Sequence, residues 1–342
     1  MNRYTFTALT ILCLIAVLLL TLSVITPDPL GSAKLLAQGA FGDQLGITRT
    51  LVKWIPLMLT GLGIVVAWRG GMYNIGGEGQ FVVGGVAGAF AARPLLDSSL
   101  SWPVMSILIL GASILGGAAW GWLAGWLFVK RGVEVVISTI LLNFVAIQTL
   151  AYLVTGPLQE KAGRLPQTDR LGNAQALPKF SPAFDLHYGI FLALTLVAVI
   201  AVFLYRTKAG FKLRLVGEND RAARANRISA PQSKLVAMSI SGGLCGLAGG
   251  VEYMGVTQQL GQGFSQNWGF LAIPVALLAG LNPLVVCLSA LYFAAILAGS
   301  KNLSGFTADG TVLIYVVQAA AVLGLVALRK WTASRPTPAG VA

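Results

Sequence analysis

Bond-breaking chemistry needs nucleophiles, acids and bases within reach of one another, and this sequence supplies few. The 342-residue chain has one histidine, His187, and three cysteines, Cys13, Cys245 and Cys287. The cysteines lie inside apolar runs without CxxC spacing and read as small hydrophobes in packed helices. His187 has no neighbouring Cys or His to complete a metal site. No GxxxxGK[ST] phosphate loop occurs, so the chain has no ATP site of that kind. The expectation is no catalytic residue, no metal site and no cofactor.

Three polar segments stand out instead. The first runs from Trp68 to Gln80. Paired glycines, Gly70-Gly71 and Gly76-Gly77, flank Asn74, Glu78 and Gln80 between two long apolar runs. Glycine weakens a helix by about 1 kcal/mol relative to alanine, so the cluster predicts a helix break. Irregular backbone at membrane depth is tolerated only where protein or a water-filled cavity satisfies it. Glu78 is therefore expected near the interface or facing a polar interior, unless the segment is a surface turn capped by Glu78.

The second segment, Thr257 to Trp268, concentrates Gln258, Gln259, Gln262, Gln266 and Asn267 beside Phe264 and Trp268. Amides with aromatics suit a neutral solute bearing hydroxyls or a flat base, and equally suit an ordinary external loop. Asn143, Gln148 and Gln318, inside apolar runs, either line a path or hydrogen-bond between helices. The candidate path residues are Asn74, Glu78, Gln80, Asn143, Gln258, Phe264 and Trp268. The third segment, Arg206 to Ser229, is strongly basic. Asn219 or Asp220 is placed to cap a short helix through Arg227. Val216, Ala222, Ala223 and Ile228 give it an apolar face, and Arg221, Arg224 and Arg227 a basic one. It reads as a docking helix or as a membrane anchor.

The elements that hold these segments follow from composition. Hydrophobic residues make up 56% of the chain and charged residues 11%, against about 25% charged in soluble domains. Mean hydropathy is +0.77. Lipid must be the solvent, and the fold class is an all-α integral membrane protein in a single polytopic domain. A helix needs roughly 20 apolar residues to cross a bilayer. Ten runs are expected to cross: Ala8–Ile25, Leu51–Trp68, Gly79–Leu96, Val104–Val129, Val135–Val154, Tyr188–Tyr205, Leu235–Val256, Phe264–Gly280, Leu284–Ser300 and Thr311–Leu328. The first reads as an uncleaved helix rather than a signal peptide, whose apolar core would be shorter. Glycines at four-residue spacing, Gly84/Gly88, Gly117/Gly121/Gly125 and Gly242/Gly246/Gly250, predict close helix contacts.

Charge orients the bundle. The net charge is +12, with no zinc-knuckle, RRM or basic-helix pattern, so nucleic acid is not an expected partner. Eight basic residues fall within 206–234: Arg206, Lys208, Lys212, Arg214, Arg221, Arg224, Arg227 and Lys234. The positive-inside rule places this stretch in the cytoplasm, with both termini on the same side and residues 155–187 outside.

At these residues the chain resembles a known family. Tyr73-Asn-Ile-Gly-Gly-Glu-Gly-Gln80 is similar to the Asn-Ile-Gly-x-Glu-Gly-Gln signature of permease subunits in bacterial ABC importers for branched-chain amino acids, ribose and nucleosides. Gly217, followed by Ala222-Ala223 and Ile228, resembles the cytoplasmic coupling segment. Ser241 to Gly250 resembles the glycine-rich helix after it. Ile273-Pro-Val-Ala-Leu-Leu-Ala-Gly-Leu-Asn-Pro283 resembles the late Ile-Ala-Val-Ala-Leu-Leu-Gly-x-Asn-Pro stretch. The similarity runs in order from about Leu51 to Leu328. The Glu-Gly-Gln variant and the long 155–187 loop look most like the nucleoside and simple-sugar branch.

The resemblance implies a type II ABC importer permease-like bundle of ten helices in the bacterial cytoplasmic (inner) membrane. It implies a homodimer or a heterodimer with a second permease subunit, cytoplasmic ATPase subunits, and an extracytoplasmic solute-binding protein or lipoprotein. It carries ATPase coupling onto Gly217, Asn219, Ala222, Ala223 and Ile228. Two departures stand out. Arg227 occupies the position where the family usually has Gly before Ile228, so the end of the coupling helix is expected to differ. Pro274 replaces a usual non-proline. The competing expectation is a self-contained secondary transporter or channel, which would need intramembrane ionisable residues. Glu78, Glu134 and Glu252 come nearest, and each reads as interfacial. A membrane enzyme is the least expected.

Overall fold

The computed structural model describes residues 3–96, 100–181 and 184–303, with isolated positions between 316 and 324. The expected span Thr311–Leu328, including Gln318, lies outside them or is described only at isolated positions. Twelve α-helices and one β-hairpin occur among the described residues: α1 (Arg3–Ile25), α2 (Pro29–Phe41), α3 (Gln44–Arg69), α4 (Gly77–Ala92), α5 (Trp102–Arg131), α6 (Val135–Thr155), β1 (Lys179–Ser181), β2 (Phe184–His187), α7 (Gly189–Arg206), α8 (Lys208–Glu218), α9 (Asp220–Ala225), α10 (Ala230–Glu252), α11 (Trp268–Leu278) and α12 (Pro283–Gly299). The chain divides into two compact units, one of residues 1–50 and 292–342, the other of residues 51–291.

In the first unit, α1 and α2 meet at a 116° bend. Pro27 and Pro29 stop the helix. Asp28 restarts it by accepting the Gly31 N–H at 2.9 Å, an N-cap with proline at the first helical position. Leu22, Leu36, Ile296 and Leu303 form the apolar core. None of the expected runs covers α2, which at 13 residues is too short to span alone.

In the second unit, α4, α5 and α10 pack tightly, and small residues are the reason. A Cβ at Gly117 would strike the Gly242 carbonyl, and one at Gly84 would strike the Gly246 backbone. Lipid tails are as apolar as leucine, so close backbone contact carries helix association here.

Among the described residues, six helices are long and apolar enough to cross a membrane, or seven if the bent α1–α2 pair is one span. Two of the expected spans differ. Gly79–Leu96 is the 16-residue α4 prolonged by a 3-10 turn, Arg93–Leu95, and Phe264–Gly280 contains only the 11-residue α11. At 1.5 Å per residue α11 covers about 16 Å, roughly half the hydrocarbon thickness. It is a half-helix.

One end of this unit carries the basic segment. There α3 finishes at Arg69 and the chain runs without helix through residues 70–76 before α4 begins. At the other end α10 ends in a π-helical turn, Tyr253–Thr257, followed by Gln258 at φ 56°. The π turn frees carbonyls from the α-ladder, and the 156–188 segment takes them. Leu177 N–H donates to Met254 O at 3.0 Å and Leu171 N–H to Gln258 O at 2.8 Å. The β-hairpin closes this segment, with a Lys179–Asp185 ion pair at 2.8 Å.

Candidate functional site: a buried polar break, a half-helix and a basic segment

The break at 70–76 is a locked structure, not a surface turn. Asn74 is fully buried. Its Nδ2 donates to Gln80 Oε1 and to Ser241 Oγ, both at 2.9 Å. Its Oδ1 accepts the Gly76 N–H at 2.8 Å and Gln80 Nε2 at 3.2 Å. Asn143 on α6 works from the other side. Its Oδ1 accepts the Gly79 N–H at 2.8 Å, and its Nδ2 donates to Ile75 O at 3.0 Å. Thr139 Oγ1 accepts the Ile75 N–H at 3.3 Å. Side-chain amides from α4, α6 and the break itself thus satisfy the backbone groups that the missing helix leaves open.

Glu78, also buried, faces α11. Ser265 Oγ donates to its Oε1. The Gly269 N–H donates to Oε2 at 2.7 Å, and the Asn267 and Phe270 N–H groups face the same carboxylate. Glu78 therefore caps the start of α11 from another helix, where the helix dipole favours an anion. Asn267, the N-cap residue of α11, makes no side-chain cap itself and sits at φ 64°. At the other end of α11, the Arg69 guanidinium donates from Nε to Leu281 O at 2.9 Å and from Nη2 to Gly280 O at 3.4 Å.

Loop 258–267 runs from the end of α10 to α11. Phe264 and Trp268 are buried, Phe264 against Phe81 with ring centroids 5.3 Å apart. Gln258 accepts from Arg170 Nη2 at 2.9 Å. Gln262, Gln266 and Asn267 are exposed. The path candidates thus fall into separate groups: Asn74, Gln80 and Asn143 in one network, Glu78 at the start of α11, Phe264 and Trp268 behind the loop, and Gln258 beside Arg170.

Of the three glutamates, Glu134 is exposed beside α6, while Glu78 and Glu252 are enclosed by protein. Glu78 is enclosed as described. Glu252 is 3% exposed, against the Trp268 indole and near Lys53, whose Nζ lies 5.4 Å from the Trp268 ring centroid. Sequence reasoning missed this cluster. The signal was a lysine and a glutamate inside apolar runs, with nothing in the sequence to bring them together.

The basic segment folds as α8 and α9. Asn219 Oδ1 accepts the Arg221 and Ala222 N–H groups, both at 3.0 Å, an N-cap. Ala223 is fully buried in a core with Val216 and Ala230, with Ile228 packed beside it. Ala222 is half-buried. Arg227 adopts φ 57°, with Ile228 N–H donating to Ala223 O and Arg227 N–H to Arg224 O. This is a Schellman motif with arginine where glycine is usual; the two hydrogen bonds hold Arg227 left-handed. Partial burial alone raises the Asp220 carboxyl, but hydrogen bonds from Arg224 at 3.0 Å and Lys234 at 3.5 Å outweigh it and hold it below its ordinary range.

A multispan helical bundle with a glycine-rich break, a half-helix and a basic helical excursion is the architecture of a membrane permease. The chain belongs to the family described as branched-chain amino acid transport system / permease component, whose model matches residues 46–326. The glucose ABC transporter permease protein TsgB13 of Haloferax volcanii is 31% identical over 93% of this chain and 86% of its own length. The guanosine ABC transporter permease protein NupP of Bacillus subtilis is 30% identical over 78% of this chain and 76% of its own. The nucleoside ABC transporter permease protein NupB of Lactococcus lactis is 29% identical over 79% and 76%. No solved structure matches. The chain is the membrane-embedded permease subunit of an ABC importer; ATP hydrolysis resides on a separate subunit, and the family implies an ATPase and a substrate-binding partner.

Proposed function

We propose that this permease moves a neutral, hydroxyl-rich solute, a nucleoside or a simple sugar, across the bacterial inner membrane. The observation that carries this is the exposed face of loop 258–267. Gln262, Gln266 and Asn267 present amides there, while the neighbouring carboxylate of Glu78 is enclosed by Ser265 and the start of α11. Amides match hydroxyls and base edges without demanding a charged ligand. The names of the relatives, for glucose, guanosine and nucleosides, support the same class.

On this reading the solute meets Gln262, Gln266 and Asn267. Asn74, Glu78, Gln80, Asn143, Phe264 and Trp268 hold the wall behind them, and Gln258 ties the loop to the 155–187 segment. That segment faces outward and receives a binding protein or lipoprotein. Residues 206–234 face the cytoplasm, as do both termini, and meet the ATPase through the exposed side of α8 and α9. Gly217, Asn219, Ala223 and Ile228 shape that surface, and Ala222 lies on it. A second permease subunit, identical or related, completes the path.

Uptake of radiolabelled nucleosides and sugars by a deletion strain, with and without the restored gene, tests the solute. Loss of nucleoside uptake on deletion is the expected result. Unchanged uptake of every nucleoside moves the assignment to simple sugars, and unchanged uptake of both classes refutes it.

A further inference from the structure

We infer that Arg69 and Glu78 are positioning residues that clamp the half-helix α11 at both ends and transmit movement of the basic segment to it. The inference rests on the reading of 206–234 as the ATPase contact.

Arg69 and Glu78 stand on either side of the non-helical stretch 70–76. Arg69 holds the carbonyls of Gly280 and Leu281 just past the end of α11. Glu78 holds the N–H groups at its start. The short non-helical segment between them therefore forms a bracket along α11. The sequence of α11, Trp-Gly-Phe-Leu-Ala-Ile-Pro-Val-Ala-Leu-Leu, contains no charged residue. The anion at its start and the cation at its end both come from the bracket, and both complement its dipole. Pro274 inside α11 removes one ladder N–H, which makes the external caps weigh more. The fit is close: a Cβ on Gly269 would strike the Glu78 backbone.

The basic segment touches the same bracket. Gly71 sits at φ +74°, and a Cβ there would meet the Gly217 Cα at 3.0 Å; a Cβ on Gly217 would strike the Arg69 carbonyl. Gly217 lies near the end of α8. Backbone thus rests on backbone, with no side chain between to absorb a displacement. A push on α8 moves Arg69–Gly71, and α11 follows because both its ends are tied to that segment. Loop 258–267 leads directly into α11, so Gln266 and Asn267 travel with it.

The test uses the full chain assembled with its ATPase in lipid, with Cys13, Cys245 and Cys287 replaced by alanine. Spin labels go on Phe270→Cys in α11 and Ile107→Cys in α5, both exposed positions. Between nucleotide-free and ATP-trapped states the label distance is expected to change by about 2 Å, the scale of a helix shift. With Arg69→Gln, and separately with Glu78→Gln, the change disappears, and transport per ATP hydrolysed falls about tenfold, within the usual range of coupling energies. ATP hydrolysis continues, and Arg69→Lys restores most of the transport. If both variants keep the distance change and the transport ratio, the inference is overturned. Should Glu78→Gln fail to assemble, Arg69→Gln decides alone. ATP-driven uptake without any movement at residue 270 overturns the bracket alone. Co-purification of the ATPase with Ala222→Glu at the level of the unsubstituted chain overturns the underlying reading of 206–234.

Discussion

The chain leaves the span pattern at residues 70–76 and again at 207–229, and it holds the two excursions by opposite means. The first is largely buried, with only Tyr73 exposed, carries no charge, and is fixed by three side-chain amides and two hydroxyls. The second is exposed and charged, fixed by one buried alanine, one N-cap and the Asp220 ion pairs. The difference follows from solvent. Water satisfies the open backbone groups of α8 and α9, so local caps suffice. In the break buried side chains stand in for the lost helix bonds, and each open group needs a dedicated partner. The buried excursion should therefore respond to substitution through stability and the exposed one through partner binding.

The largest effect is expected at Asn74. Asn74→Leu leaves the Gly76 N–H, Gln80 and Ser241 with fewer partners, at a cost of about 3 kcal/mol. Chemical unfolding in detergent would show it; a midpoint equal to that of the unsubstituted chain would break the comparison. Next come the paired alanines of the exposed excursion. Ala223→Glu puts a carboxylate into the Val216–Ala230 core and should unfold the segment at a cost of about 2–3 kcal/mol. Ala222→Glu should leave stability within about 0.5 kcal/mol yet abolish co-purification with the ATPase. Equal behaviour of the two variants would contradict the burial difference.

His187 gives a pH-dependent contrast on the far side of the molecule. Burial first, then the nearby Lys179 charge, lowers its imidazole from 6.5 to about 4, with Asp185 opposing. The folded state thus disfavours the proton, so the stabilisation is complete above pH 6.5 and declines as pH falls towards 4. At pH 5 the loss is about 2 kcal/mol. Hydrogen exchange at the Leu177 and Tyr188 amides should quicken from pH 7 to pH 5 beyond the intrinsic change, and His187→Gln should remove that excess. The smallest effect belongs to Arg227. Arg227→Gly relieves a left-handed residue and should slow exchange of the Ile228 N–H, a gain of about 1 kcal/mol or less.

Much of the membrane core is legible in the sequence because lipid imposes a simple rule. Long apolar runs give α1, α3, α5, α6, α7, α10 and α12 within a few residues at most of their ends. The paired glycines around Asn74 mark a true break, and Asn219 marks the start of α9. Other features are not legible. Phe264–Gly280 is apolar enough to suggest a crossing, but its first residues are drawn out of helix by Phe264 packing on Phe81 and by Ser265 bonding Glu78. Ala222 and Ala223 are adjacent and alike in sequence; only the turn of α9 puts one in the core.

Sequence by itself determined the solvent, the helical class, the break and the basic excursion, because these depend on composition and local backbone preference. Tertiary structure alone decided what the polar residues do. Glu78 and Arg69 are each a single charge beside a run of glycines until α11 is laid between them. Glu252 and Lys53 lie about two hundred residues apart until α3 and α10 meet. Long-range partners set the role of a buried polar group, since its cost is met only by groups the fold brings within hydrogen-bond reach.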